Sequence, residues 1–389
     1  MTGWPAPDSA RLADLAREWR SAYVHVPFCG RVCPYCDFAV VAGRDDLAER
    51  YVAAVAREID DEASWHPLDA VFVGGGTPSR VAPLLGGIVD RLRRRFGLGP
   101  GAEVTLEANP EDWSRPLAAA LVEAGFTRVS FGAQSFDPVV LATLGRCHTP
   151  EEVEEAVVDA RRAGFLSVNI DLIFGTPGES LGSWRHTVER GLATGCDHVS
   201  HYALTVEPGT ALSRAVRAGA PAPDPDDQAD KWELADELLA GAGLVRYEVS
   251  NRARAGHHCR YNLAVWGQGE YLGFGLGAHG FRDGMRSHNV GRLDTYLERV
   301  ESGIGPLQGA DRIDGWAAEL ERLMLGLRRT AGASTGRGGA ALLASDDGRR
   351  LLAAGVLTNT GERIVVTRPL LTDEAVRSVL ALPPPEGFS

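Results

Sequence analysis

Three scarcities bound this chain. Only 6 of its 389 residues are cysteine and 3 are methionine. A disulfide-stapled secreted scaffold needs a far denser set, so that class is excluded and a reducing compartment, the cytoplasm, is the expected setting. Positive charge is also short: 40 Lys and Arg stand against 52 Asp and Glu, a net charge of −12. With no basic stripe there is no electrostatic footprint for nucleic acid. No apolar run is long enough to span a bilayer, and the stretch from Met1 to Ser9 has neither a basic nor an apolar signal region. No integral membrane segment is therefore expected, while a peripheral membrane contact stays open. What remains is ordinary globular composition, 44% hydrophobic and 24% charged over 389 residues, enough for two or three domains around a large core.

Against that scarcity, half of the cysteines crowd into one place. A β-branched apolar run, Ala22 to Val26, stops at Pro27, and Cys29, Cys33 and Cys36 follow with three and then two residues between them. A short loop of this spacing can turn three thiolates toward one point, and no fourth ligand is obvious. A structural zinc site takes four protein ligands and most iron–sulfur clusters take four cysteines, so three leave one metal corner open to an exchangeable molecule. The plain alternatives are a zinc site closed by Asp37 or His25, and thiols that only pack.

The rest of the chain alternates strand and helix. Strands are expected at residues 22–26, 70–73, 104–106, 128–131, 167–170 and 198–204, separated by helices over 46–62, from Val81, 150–163 and 181–194. Six strand–helix units in series imply a parallel sheet with right-handed crossovers, an α/β fold whose natural form is a partial (β/α)6 barrel. Beyond Leu212 a turn-rich segment, Gly219 to Pro225, interrupts the pattern. A helix over 227–241, a short strand Val245–Val249 and a glycine- and histidine-rich stretch at 256–280 follow. From Leu307 onward, a helix carrying Leu320, Leu323, Met324 and Leu327, a hairpin turning at Thr360-Gly361 and a helix from Asp373 predict a smaller α+β, winged-helix-like C-terminal region. The division expected is 1–214 barrel, 215–306 linker and extension, and 307–389 C-terminal module.

In such barrels the residues that do chemistry sit at the carboxyl ends of the strands. Gly75, Gly76 and Thr77 follow the second strand, where glycine lets backbone groups approach a ligand and leaves N–H groups free for a carboxylate. Glu107 ends the third strand as a strong acceptor, its plain alternative being a solvated loop carboxylate. Gln134 follows the fourth strand, Asp171 the fifth, and Arg146 lies on the loop after a further turn. An arginine there offers a forked donor for a carboxylate, or else a surface ion pair. Cys147, Cys196 and Cys259 read as isolated packing thiols.

The Cys29, Cys33, Tyr35, Cys36 pattern resembles the cluster loop of radical S-adenosylmethionine (radical SAM) proteins. The Asp37-Phe38 continuation resembles the heme chaperone HemW family within the oxygen-independent coproporphyrinogen III oxidase-like branch; the oxidases continue with Gly-Cys. The resemblance extends through Tyr247 to Asn251, Tyr271 to Gly275 and Gly277 to Gly280. It implies a [4Fe-4S] cluster on Cys29, Cys33 and Cys36, and S-adenosylmethionine contacts from Tyr23, Tyr35, Gly75, Gly76, Thr77, Glu107, Gln134, Arg146 and Asp171. It also implies heme as a further ligand and a heme-acceptor protein as partner. One departure stands out: the family's His-Asn-x-x-Tyr-Trp segment is Tyr261, Asn262, Leu263, Ala264, Val265, Trp266 here. Tyrosine can ligate heme iron, and His257, His258 and His279 are near in sequence. The alternatives to a chaperone are a coproporphyrinogen-type oxidase or a radical methyltransferase using two S-adenosylmethionines.

Overall fold

The structure, a computed structural model, describes Leu12 and residues 14–385. The Ser9 end of the amino-terminal lead lies outside the described residues.

The inside of the barrel is polar because polar and apolar residues alternate along its strands. The strands are β1 (Ser21–Val26), β2 (Leu68–Gly75), β3 (Leu98–Ala108), β4 (Arg128–Gln134), β5 (Ser167–Phe174) and β6 (His198–Ala203). They lie side by side in sequence order and all pair in parallel. Val104 and Leu106, Val129 and Phe131, Val168 and Ile170 belong to the main hydrophobic core. Their alternate neighbours Ser130, Asn169, Asp171, His198 and Ser200 are hydrogen-bonded to one another. A period of two therefore sends one set to the helices and the other into the barrel.

The helices α1 (Ala48–Asp61), α2 (Ala82–Phe96), α3 (Arg115–Glu123), α4 (Pro150–Ala163) and α5 (Leu181–Ala193) cover the outside. In α1, Tyr51, Val55 and Ile59 recur every four residues and are buried; burying Val55 and Ile59 contributes roughly 1.5–3 kcal/mol each. In α4 both boundaries are written locally: Thr149 and Glu152 form a capping box, Pro150 stands in the first turn, and Gly164 ends the helix in the left-handed region at φ 106°.

The sheet continues beyond these six strands. α6 (Pro225–Gly241) starts on the last proline of the turn-rich segment. Asp224 caps it by accepting from Asp226 and Asp227 N–H, and a proline in the first turn lacks only an N–H that the helix does not use. The short strands β7 (Val245–Arg246) and β8 (Asn251–Ala253) add to the β6 edge in antiparallel fashion. The expected strand 245–249 is broken after Val245 and Arg246, because the chain turns at Tyr247, whose N–H bonds Asn251 O, and Glu248 pairs separately in an isolated bridge with Arg329. After α7 (Arg260–Trp266), β9 (Tyr271–Phe274) joins the other edge parallel to β1. Then β10 (His279–Arg282), β11 (Met285–Asn289), α8 (Leu293–Glu301) and β12 (Leu307–Arg312) follow. Among the described residues the sheet has 12 strands in the order β12-β11-β10-β9-β1-β2-β3-β4-β5-β6-β8-β7.

The C-terminal module comprises α9 (Gly315–Leu327), β13 (Ala333–Ser334), α10 (Gly336–Ala344), α11 (Asp346–Ala353), β14 (Leu357–Asn359), β15 (Arg363–Val366) and α12 (Thr372–Leu380). It has its own core around Leu323, Leu342, Ile364 and Val379 and a three-stranded sheet ordered β13-β15-β14, as a winged-helix-like region requires. Among the described residues no helix is long and apolar enough to cross a membrane.

Candidate functional site

At the carboxyl ends of β2 to β6 the barrel opens into a cavity of about 860 Å³. Its lining includes Cys29, Cys33, Cys36, Tyr35, Gly75, Gly76, Thr77, Glu107, Gln134, Arg146 and Asp171. Eleven of the twelve positions singled out from the sequence thus share one space. Tyr23 lines an adjoining cavity of about 300 Å³ with His25, Phe38, Tyr261, Tyr271 and His279, and both spaces share Phe38, Gly75 and Glu107.

The cysteine loop is fastened to the strand ends. Residues 28–29 pair in parallel with 41–42, and Thr77 N–H donates to Phe28 O at 2.8 Å. A Cβ on Gly76 would lie 2.7 Å from Pro27 O and 2.9 Å from Cys29 Sγ, so only glycine lets the loop close on β2. From Cys29 an arc of hydrogen bonds runs to Cys33. Thr77 Oγ1 donates to Cys29 Sγ at 3.5 Å, and Asn109 Nδ2 donates to Thr77 Oγ1 at 3.2 Å. Arg146 Nη2 donates to Asn109 Oδ1 at 2.6 Å and to Gly132 O at 2.9 Å, and its Nη1 reaches Cys33 Sγ at 3.8 Å. The Arg146 side chain is only 8% exposed, which excludes the surface ion pair, and its Nε has no partner among the described residues. Burial pushes the Cys29 and Cys36 thiols up, with Arg146 opposing.

Glu107 accepts from Gly75 N–H at 2.9 Å. Burial first, and then the nearby Asp171 carboxylate, push it up to about 7. Asp171 is itself raised by burial, opposed by hydrogen bonds including those from Ser130 and Asn169. Glu107 is therefore not a freely solvated loop carboxylate. Glu111 behaves in the opposite way: burial disfavours its charge, but His148 and Arg146 outweigh that and hold it down at about 2. Gln134 closes β4 at φ 62°, in the left-handed region, where the β4–β5 register also shifts. A non-glycine residue held there stores backbone strain of the kind that gathers at ligand sites.

Both nitrogens of His25 are engaged. Nε2 is 2.8 Å from Ala39 O, which can only accept, so Nδ1 accepts from the Tyr23 hydroxyl at 3.0 Å. Asp37 is exposed. Cys196 and Cys259 are buried, but Cys147 is not a packing thiol: it is exposed at the cavity rim with Sγ 3.7 Å from Glu111 Oε1. The loop after the one-turn helix Pro138–Thr143 carries it to the solvent side. Sequence reasoning passed over Asn109, Glu111 and Ser130 and placed Tyr202 near the mouth without assigning it to the site; all four line the cavity. Ser130 and Tyr202 were reachable from the period of two, since they share strand faces with Arg128 and Ser200.

The comparisons agree with this geometry. Residues 23–191 match the Radical SAM superfamily. The fold is that of a solved structure, "Coproporphyrinogen III oxidase (HemN) from Escherichia coli is a Radical SAM enzyme", with a TM-score of 0.80 and 22% identity over 96% of this chain and 93% of that one. Barrel and site define a radical SAM protein, a class that implies a [4Fe-4S] cluster and S-adenosylmethionine. The heme chaperone HemW of Mycobacterium tuberculosis (strain H37Rv) is 42% identical over 387 residues, 95% of this chain and 97% of its own length. That of Bacillus subtilis is 33% identical over 326 residues, 82% and 86% of the two chains. The chain belongs to the heme chaperone HemW family.

Proposed function

We propose that this protein is a cytoplasmic heme chaperone that binds heme and hands it to an acceptor protein. The observation that carries the reading is kinship over nearly the whole chain with relatives named heme chaperones, including the section after residue 214 that supplies Tyr261, Tyr271 and His279 to the smaller cavity. In this reading the barrel of 1–214 holds the cluster and its cofactor, 215–306 completes the heme pocket, and 307–389 is a packing or partner module.

Cys29, Cys33 and Cys36 are assigned to three irons of a [4Fe-4S] cluster. The donor set supports this. Three thiolates on one short loop leave one iron of a cluster without a protein ligand, and His25, one of the two residues that could close a zinc site, has both nitrogens engaged. When bound, a cluster with one iron free of protein ligands supplies an electron to a sulfonium cofactor held beside it. The chain's own part is placement. The N–H groups of Gly75, Gly76 and Thr77 already donate to Glu107, Val26 and Phe28, contrary to the expectation that they stay free for a carboxylate. These residues therefore serve by letting a ligand approach the strand end, and the Arg146 guanidinium is offered to the amino-acid end of S-adenosylmethionine. Glu107, Gln134 and Asp171 offer acceptors to amine and ribose hydroxyls, and Tyr35 and Tyr23 wall the space against water.

The test is to reconstitute the protein anaerobically and present it separately with heme and with coproporphyrinogen III. A Soret band without decarboxylated product supports the chaperone. Decarboxylated product replaces it with the oxidase, and neither result contradicts both.

A further inference from the structure

Heme iron held by protein needs an axial donor, and position 261, where the resemblance implies histidine, is tyrosine here. Geometry sorts the remaining histidines. His257 and His258 belong to the amino-terminal end of the barrel: His257 Nε2 is 3.9 Å from Asp197, just before β6, and His258 packs edge-on against Tyr247, ring centroids 4.8 Å apart. At the carboxyl end, His25 has both nitrogens occupied, by Tyr23 and Ala39. His148 is likewise held, with Nε2 2.9 Å from Ala133 O and Nδ1 3.3 Å from Glu111 Oε2.

His279 is different. It is exposed, it lines the smaller cavity, and neither ring nitrogen has a hydrogen-bond partner among the described residues. Its backbone is fixed, because β10 crosses β9 so closely that a Cβ on Gly273 would lie 2.0 Å from His279 O. His288, its register partner on β11, stacks behind the ring with centroids 5.5 Å apart, which limits how it can turn. Burial, His288 and Arg286 together favour the neutral imidazole, the form that binds a metal.

The rest of the cavity suits a flat apolar ring. Tyr261 packs with Phe72 at 5.1 Å and with Tyr23 at 6.0 Å between ring centroids, making an aromatic wall. Burial pushes its phenol well up, which disfavours the phenolate that would ligate iron. Phe38, 66% exposed, stands where the two cavities meet, an apolar side chain in water that a porphyrin face would cover.

We propose that His279 is the axial ligand of the heme iron, with the porphyrin lying between Phe38 and the Tyr261 wall at the mouth of the smaller cavity. This rests on the heme-chaperone reading and names the ligand within it.

The reconstituted full-length chain is titrated with hemin as wild type and as His279→Ala, His258→Ala and Tyr261→Phe, with the Soret position and the ferric EPR spectrum recorded. His279→Ala is expected to bind hemin weaker by at least about tenfold, to lose the imidazole signature, and to regain it when free imidazole is added. His258→Ala is expected to keep the wild-type spectrum. Iron and sulfide content of the same samples reports the fold, and His279→Gln is the second variant should the alanine protein lose its cluster. An unchanged spectrum and affinity in the His279 variants, or loss of the signature in His258→Ala or Tyr261→Phe instead, overturns the assignment. Failure of the wild type to take up hemin overturns the heme reading itself.

Discussion

Arg146 Nη1 lies 3.8 Å from Cys33 Sγ, although 113 residues separate them in the chain. The same guanidinium bonds Asn109 Oδ1 and Gly132 O, so one buried cation ties the cysteine loop to the ends of β3 and β4. A lysine keeps the charge but has no planar fork to reach three partners together. Arg146→Lys is expected to lower stability by about 2 kcal/mol, the scale of lost charged hydrogen bonds, and to retain less iron. Urea unfolding midpoints and colorimetric iron per chain measure both.

Gly76→Ala places a methyl against backbone, at 2.7 Å from Pro27 O, as well as against Cys29 Sγ. Backbone cannot rotate away, so a loss of about 2 kcal/mol and impaired cluster assembly are expected. Gly87 in α2 provides the contrast, since a Cβ there meets nothing within 4 Å. Gly87→Ala should stabilise the helix by roughly 0.5–1 kcal/mol with unchanged iron content. Thermal unfolding of both variants side by side separates the local clash from a general effect of adding a methyl.

Glu58 accepts from Gly275 N–H, Asn289 Nδ2 and the Tyr296 hydroxyl. Burial outweighs these bonds and pushes its carboxyl from 4.5 up to about 7. The folded state therefore holds the proton more tightly than the unfolded chain does. Its stabilising contribution is full below about 4.5, is lost as pH rises to about 7, and is flat above. Glu107 and Glu248 share the same window, so the informative quantity is the difference between wild type and Glu58→Gln. That difference should fall by at most about 3 kcal/mol between those limits. A pH-independent difference in chemical denaturation would remove burial as the governing cause.

Glu107→Gln keeps an acceptor for Gly75 N–H and removes the repulsion from Asp171. At pH 8 the variant without cofactor is expected to be no less stable than wild type. Its affinity for S-adenosylmethionine should be lower by about tenfold or more. Calorimetric titration at fixed cluster content reads the second quantity and thermal unfolding the first.

The six-unit barrel was legible because its strands are short apolar runs punctuated by glycine and acid, and its helices repeat apolar residues every three to four positions. The candidate site was legible for a related reason: in a parallel barrel the carboxyl-terminal halves of the strands must share one end, and Gly75, Glu107, Gln134 and Asp171 lie in them. The sheet beyond Val249 was hidden. β9 pairs with β1 although about 250 residues separate them, its four residues include a glycine, and β12 shows no apolar alternation. Pairing across such distances is decided by the assembled edge of β1 and not by local propensity. Asn109 was hidden for another reason, since its role depends on Arg146 arriving from a distant loop.

The most direct test of the account is the EPR spectrum of the reduced, anaerobically reconstituted protein before and after adding S-adenosylmethionine, with metal content measured on the same sample. The account predicts about four irons per chain, loss of the cluster when Cys29, Cys33 or Cys36 becomes alanine, and a changed signal once the cofactor is present. Zinc in place of iron, or a cluster signal indifferent to S-adenosylmethionine, would contradict it.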